Sequence, residues 1–230
     1  MHTRSFIAGT SLAAILCLGG SLVFSQPQKG DAKPAAPDKA QDAKPAMPAG
    51  ADPAAMMDEW MKLSKPSDGH KRLDALVGDW TTTQKMWMEG PQGPSVETRG
   101  TSTSKLILGG RFLHQEDSNT MKFPGPDGKM AEMPFSGMGL TGYDNYRHIY
   151  NGTWVDSLGT VMLTFKGVAS QDGKTITMYG EMDEPSLHMV GRMVKYVTTI
   201  ESNDKHVFQI FDLAAGDNFK VIEVTYERKK

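Results

Sequence analysis

The first candidates for chemistry stand close together in one stretch of the chain: Tyr143, His148, Tyr150, Trp154 and Asp156. Asp144-Asn145 reads as a two-residue hairpin loop, because Asp and Asn tolerate positive φ. That loop would pair Tyr143 with Tyr146, Thr141 with His148, Gly139 with Tyr150 and Gly137 with Gly152. Period-2 alternation then places Phe135, Gly137, Gly139, Thr141 and Tyr143 on one face with Tyr146, His148, Tyr150, Trp154 and Asp156. Glycines opposite large rings leave space, and aromatic walls with a few polar groups are what small-molecule pockets use. The expectation is a ligand site on Tyr143, His148, Tyr150, Trp154 and Asp156, with Arg111 as a candidate anion anchor. The competing reading is that the rings themselves fill the gaps over the glycines. Register decides between them, since a one-residue slip reverses every face. Arg111 follows Gly109-Gly110, a bend at which an arginine more often pairs a neighbouring carboxylate.

Catalytic chemistry has little to stand on. There is no Gly-x-Ser-x-Gly elbow, and Gly137-x-Gly139-x-x-Gly142 lies between expected strands, so it opens no helix onto a phosphate. His148 and Asp156 could form an acid/base pair, as many accidental pairs could. His70, His114, His148, His188 and His206 show no metal-ligand spacing, so no metal and no cofactor is expected. Fourteen methionines after residue 55 suit an adaptable apolar pocket or an irregular core, and they are too scattered for a copper site.

Strands and turns must position these residues. Met56, Met57, Trp60, Met61 and Leu63 have rough helical spacing up to Lys65-Pro66, and Ser67 or Asp68 can cap a short second helix over His70–Val77. After Gly78 ten runs rich in Val, Ile, Thr, Tyr and Phe alternate with turn segments: about 79–89, 95–107, 111–121, 134–143, 146–156, 160–169, 174–182, 188–201, 205–213 and 218–228. Most connections are too short to cross a sheet, which makes neighbours antiparallel. An open meander of ten strands would expose two edges, and closure removes them. The expected fold is all-β: an up-and-down antiparallel barrel of about ten strands behind short N-terminal helices, spanning residues 56–230.

Gly78-Asp79-Trp80 at the start of the first strand, with a last strand ending Thr225-Tyr226-Glu227-Arg228, resembles the calycins, the lipocalin and fatty-acid-binding superfamily. That resemblance implies a basic side chain from the last strand stacked on the indole, in a structural role. Some calycins bind haem through a strand histidine, which singles out His206 for a test, although a packed or solvated histidine is the default. Four further motifs stand in order: His70–Trp80 (HKRLDALVGDW), Leu108–Leu113 (LGGRFL), Gly142–Asn145 (GYDN) and Gly152–Ser157 (GTWVDS). Together they resemble the bacterial domain-of-unknown-function family 1579. This implies a calycin-like barrel and brings no activity and no catalytic residues with it.

Composition sets the remaining bounds. With 25 Lys+Arg against 27 Asp+Glu, the formal net charge of −2 lacks the basic excess of a nucleic-acid or membrane-surface binder. Residues 1–25 read as a secretory signal: Arg4, an apolar run from Phe6 to Phe24, and small residues at Val23 and Ser25 for cleavage before Gln26. An uncleaved anchor is the rival, and cleavage would remove Cys17, the single cysteine, and leave no membrane insertion. Residues 26–55 hold ten Ala and six Pro and repeat DAKPA at Asp31–Ala35 and Asp42–Ala46, the composition of a disordered tether. The chain is therefore expected to be exported, to the periplasm or beyond. Its expected partner is a small, largely apolar ligand. A solid barrel that meets a protein partner through Tyr146, Tyr150 and Trp154, or a hydrolase or isomerase using His148 and Asp156, are the alternatives.

Overall fold

The computed structural model describes residue 50 and residues 52–125, 129–185 and 188–230. The expected signal and nearly all of the expected tether lie outside them. Helix α1 (Pro53–Leu63) belongs to a different unit from the barrel, which begins at Ser64. Asp52 caps α1 by accepting the Ala54 N–H at 2.9 Å.

Ten antiparallel strands follow: β1 (Gly78–Trp87), β2 (Ser95–Ile107), β3 (Phe112–Pro124), β4 (Met130–Asp144), β5 (Ile149–Asp156), β6 (Leu163–Ala169), β7 (Thr175–Glu184), β8 (Met189–Ser202), β9 (Lys205–Asp212) and β10 (Lys220–Arg228). Each pairs with its neighbours in sequence, and β10 pairs with β1 from Trp80↔Arg228 to Met86↔Ile222, closing the barrel. The expected class is the observed one, and among the described strands no sheet edge is left unpaired.

Three local expectations are corrected. The hairpin between β4 and β5 has a four-residue loop, 145–148, and pairs Tyr143 with Tyr150, not Tyr146. Asp144 turns the chain with its side chain, accepting the N–H groups of Tyr146 at 2.8 Å and Arg147 at 3.0 Å, while His148 takes the positive φ of 55°. The slip is four residues, an even number, so Tyr150, Trp154 and Asp156 keep their expected face, while Tyr146 and His148 fall in the loop and lie on neither strand. The β3–β4 hairpin is longer than expected: Phe112↔Gly142 continues to Pro124↔Met130. The second helix is split into α2 (Asp68–Lys71) and a 3₁₀ turn over Arg72–Leu76. Val77 N–H closes the 3₁₀ turn on Asp74 O at 3.2 Å, and Gly78 with φ of 139° then turns the chain into β1.

This helical segment plugs one end of the barrel. Leu73 and Leu76 pack with Leu113, Tyr150, Ile176, Met178, Val194 and Tyr196 in the main core. Each such side chain taken out of water contributes about 1.5–3 kcal/mol. Trp80, 0% exposed, anchors the same end, its indole N–H donating to Leu76 O at 3.2 Å. The Arg228 guanidinium lies 4.2 Å from its ring centre and donates to Val77 O at 2.7 Å and Asn203 O at 2.8 Å. This is the stacking that the resemblance implied.

Candidate functional site

Alternation along the strands writes two kinds of wall into the barrel interior. On β1, β2 and β3 the buried or half-buried inward positions include Gln84, Thr98, Ser102, Gln115, Asp117 and Asn119. On β6 to β9 they are Phe165, Ile176, Met178, Val194, Tyr196, Phe208 and Ile210, largely apolar. Between the walls lies a cavity of about 460 Å³. Leu73 and Leu76 form its floor, and Met86, Met121, Met133 and Met182 line it towards the far end. Side chains therefore do not fill the barrel centre.

The polar wall is organised around Asp117. Gln115 Nε2 donates to its two carboxylate oxygens at 3.0 and 3.2 Å, and the Tyr226 hydroxyl donates to Oδ2 at 3.2 Å. Gln84 belongs to the same wall, accepting from Asn119 Nδ2 at 3.2 Å. Burial raises the Asp117 carboxyl above the usual carboxylate range, with the hydrogen bonds from Gln115 and Tyr226 opposing it. Burial also lifts the Tyr226 hydroxyl well above the ordinary phenol value, the Asp117 charge adding to it. Among the described residues no cation comes within ion-pairing distance of Asp117.

His206 sits beside this group, 6% exposed, stacked on Tyr226 at 4.3 Å between ring centres and edge-on to Trp80 at 4.5 Å. Burial pushes its imidazole down to about 4, with the nearby Arg228 charge acting in the same direction. The ring is therefore neutral at pH 7. Among the described residues no group of three His, Cys, Asp or Glu could hold a metal ion.

The six residues singled out from the sequence fall into two places. Trp154 and Asp156 line the cavity, joined by a hydrogen bond from Trp154 Nε1 to Asp156 Oδ2 at 3.0 Å. The indole covers Gly137 and Gly139, and a Cβ at Gly139 would lie 2.9 Å from it. The gap over these glycines is thus taken by Trp154, and the cavity lies beyond it. Tyr143, His148 and Tyr150 lie instead at the helix-plugged end. Tyr143 packs 5.0 Å from Tyr150 and 5.7 Å from His70, and its hydroxyl is 3.4 Å from His148 Nδ1. Tyr150, 1% exposed, donates its hydroxyl to Gly69 O at 2.8 Å. Arg111 joins that end by donating to Ser64 O and Leu108 O, each at 2.9 Å. It holds backbone carbonyls and does not line the cavity.

Two alternatives lose their geometry. His148 precedes the first residue of β5 and Asp156 is its last, so roughly 23 Å of strand separates them. Of Tyr146, Tyr150 and Trp154, only Tyr146 is exposed, at 78%, so these three make no outer aromatic face. Sequence reasoning missed Asp117, Gln115 and Tyr226. The alternation Leu113, Gln115, Asp117, Asn119, Met121 could have marked an inward polar stripe, but the partner strands that turn it into a wall lie far away in sequence.

Among solved structures the chain is similar to the M. tuberculosis protein Rv2717c, at 15% identity and a TM-score of 0.49 over 72% of this chain and 100% of that one. It is also similar to a redesigned β-barrel, at 15% identity and a TM-score of 0.34 over 69% and 96% of the two chains. A further redesigned barrel, mFAP0, solved bound to DFHBI, matches at 16% identity and a TM-score of 0.32 over 67% and 99%. No curated protein matches the chain. Residues 65–228, the whole barrel with its helical plug, match one family model, and the chain belongs to that family, described as "Protein of unknown function (DUF1579)".

Proposed function

We propose that this protein is an exported barrel that binds one small, largely apolar molecule in its lumen without a cofactor. The observation that carries the reading is the cavity of about 460 Å³, walled mainly by Leu, Ile, Phe and Met and interrupted by one organised polar group at Asp117. An interior built only for stability would close such a void, because each missing contact costs dispersion energy and the lining cannot relax fully. Apolar walls with a few fixed polar groups suit a ligand with a greasy body and one polar end. Export rests on residues 1–25, and the Ala/Pro-rich residues 26–55 would hold the barrel clear of its neighbours.

Native mass spectrometry of the chain recovered after export, compared with the same sample denatured, tests both parts. The expected result is a protein mass beginning at Gln26 and an added mass that leaves on denaturation. A chain that keeps residues 1–25 contradicts export with cleavage. A bare mass that also stays bare after incubation with apolar compounds contradicts the lumen reading.

A further inference from the structure

The lumen has one sign of charge. Asp117, Asp156, Asp183 and Glu184 line the cavity, and among the described residues no Lys or Arg does. The inward-facing cation Arg192, on β8, is already paired with Asp212. Arg111, the cation that could have received an anionic ligand, is turned to the carbonyls at the plugged end. A fatty carboxylate would therefore enter a wall of carboxylates with no counter-ion to meet it.

The register sharpens this asymmetry. Asp117 pairs with Gly137, and Gly137 pairs with Asp156, so one row across β3, β4 and β5 carries two inward carboxylates on either side of a residue without a side chain. Asp156 is satisfied locally by Trp154 Nε1 and by the Leu158 N–H at 2.9 Å. Among the described residues Asp117 receives only the neutral donors Gln115 and Tyr226. A half-buried carboxylate held by neutral donors alone lacks the partner that would offset its desolvation. A second observation stands apart from the carboxylates. Tyr196, 4% exposed, lines the same cavity with a hydroxyl that has no hydrogen-bond partner among the described residues. Trp154, Phe165, Tyr196, Phe208 and Tyr226 also put aromatic rings on the wall, and ring faces attract cations.

Building on the lumen-binding reading, we propose that the ligand is an organic cation: an apolar molecule ending in a positively charged nitrogen, with Asp117 as its counter-ion and the aromatic wall around its body. Acidic and aromatic lining with a neutral His206 and, among the described residues, no lysine or arginine is the chemistry that recognises an alkyl or aryl ammonium and rejects the matching carboxylate. Asp117 faces the lumen, and its hydrogen bonds to Gln115 and Tyr226 fix its orientation before the ligand arrives.

Calorimetric titration of the full chain at pH 7 with decylamine, decanol and decanoate tests this, since the three share one tail and differ in the polar end. Decylamine is expected to bind about tenfold tighter than decanol, the scale of one charge-assisted hydrogen bond, with decanoate weakest. Asp117→Asn, checked for an unchanged fold by circular dichroism, is expected to erase the preference for decylamine over decanol; a preference that persists in the folded variant overturns Asp117 as the counter-ion. The comparison on the unaltered chain stands even where the variant misfolds. Decanol or decanoate binding as tightly as decylamine overturns the cation assignment and leaves the lumen reading intact. Failure of all three to bind overturns both.

Discussion

The Tyr226 hydroxyl donates to the Asp117 carboxylate at 3.2 Å, joining β10 to β3 across the interior, past β1 and β2. With the bond that Gln115 Nε2 donates to the same hydroxyl at 3.2 Å, it links the last strand to the third and holds a lumen carboxylate in place. Tyr226→Phe keeps the ring and its stacking on His206 while leaving Asp117 with one donor fewer. The expected cost is about 1–2 kcal/mol in urea unfolding, the range for a hydrogen bond to a half-buried group that can carry charge.

His206 makes stability depend on acid. Its folded-state value of about 4 lies below the ordinary 6.5, so the unfolded chain takes up this proton first. The stabilisation is complete above pH 6.5, is lost as pH falls and is gone below about 4, a total of about 3 kcal/mol. Unfolding free energies at pH 7.5, 6.0, 5.0 and 4.0 should show that decline, and His206→Gln should flatten it. A residual slope of the same sign is expected from His70, which burial, with Arg111 in support, also lowers.

Gly137 has no room for a side chain, because a Cβ there would enter the Trp154 indole. Gly137→Ala should push the ring off its strand and break its bond to Asp156. The expected loss is about 1–3 kcal/mol, the cost of overpacking a rigid group. The same variant should shift the part of the tryptophan emission that Trp154→Phe removes.

Arg228 closes the plugged end by lying over Trp80 and capping two carbonyls. Arg228→Ala should lower stability by about 1–3 kcal/mol, combining the lost cation–π contact with two freed carbonyls. Arg228→Lys keeps the charge but loses the planar fork, so it should restore less than half of the loss. Thermal melts of the three proteins at one pH and ionic strength check the order.

How much of this was legible in the residues depended on how local each feature is. Trp80 and Arg228 could be matched because they sit at the two ends of the strand series, where closure must bring them together. Trp154 and Asp156 could be placed on one face because alternation is a property of a single strand. The turn at Asp144 was misjudged by two loop residues, since Asp-Asn fits a tight turn as well as the side-chain-capped one that forms. The faces survived because the resulting slip is even. Asp117 was not legible. Its inward stripe on β3 gains meaning only beside Tyr226 on β10, and that depends on the registers of three strand pairs and on closure of the barrel. Arg111 misled for a related reason: the Gly109-Gly110 bend aims it, but towards Ser64 O and Leu108 O.

Titration of the full chain with N-phenyl-1-naphthylamine, a neutral apolar fluorophore, tests whether the lumen accommodates a ligand. One saturable site is expected, with the probe's emission rising on entry. Met178→Trp, which adds a large ring to the cavity wall, should abolish that site while the protein still melts cooperatively. No saturable binding, or equal binding to a folded Met178→Trp variant, would contradict a ligand-binding lumen.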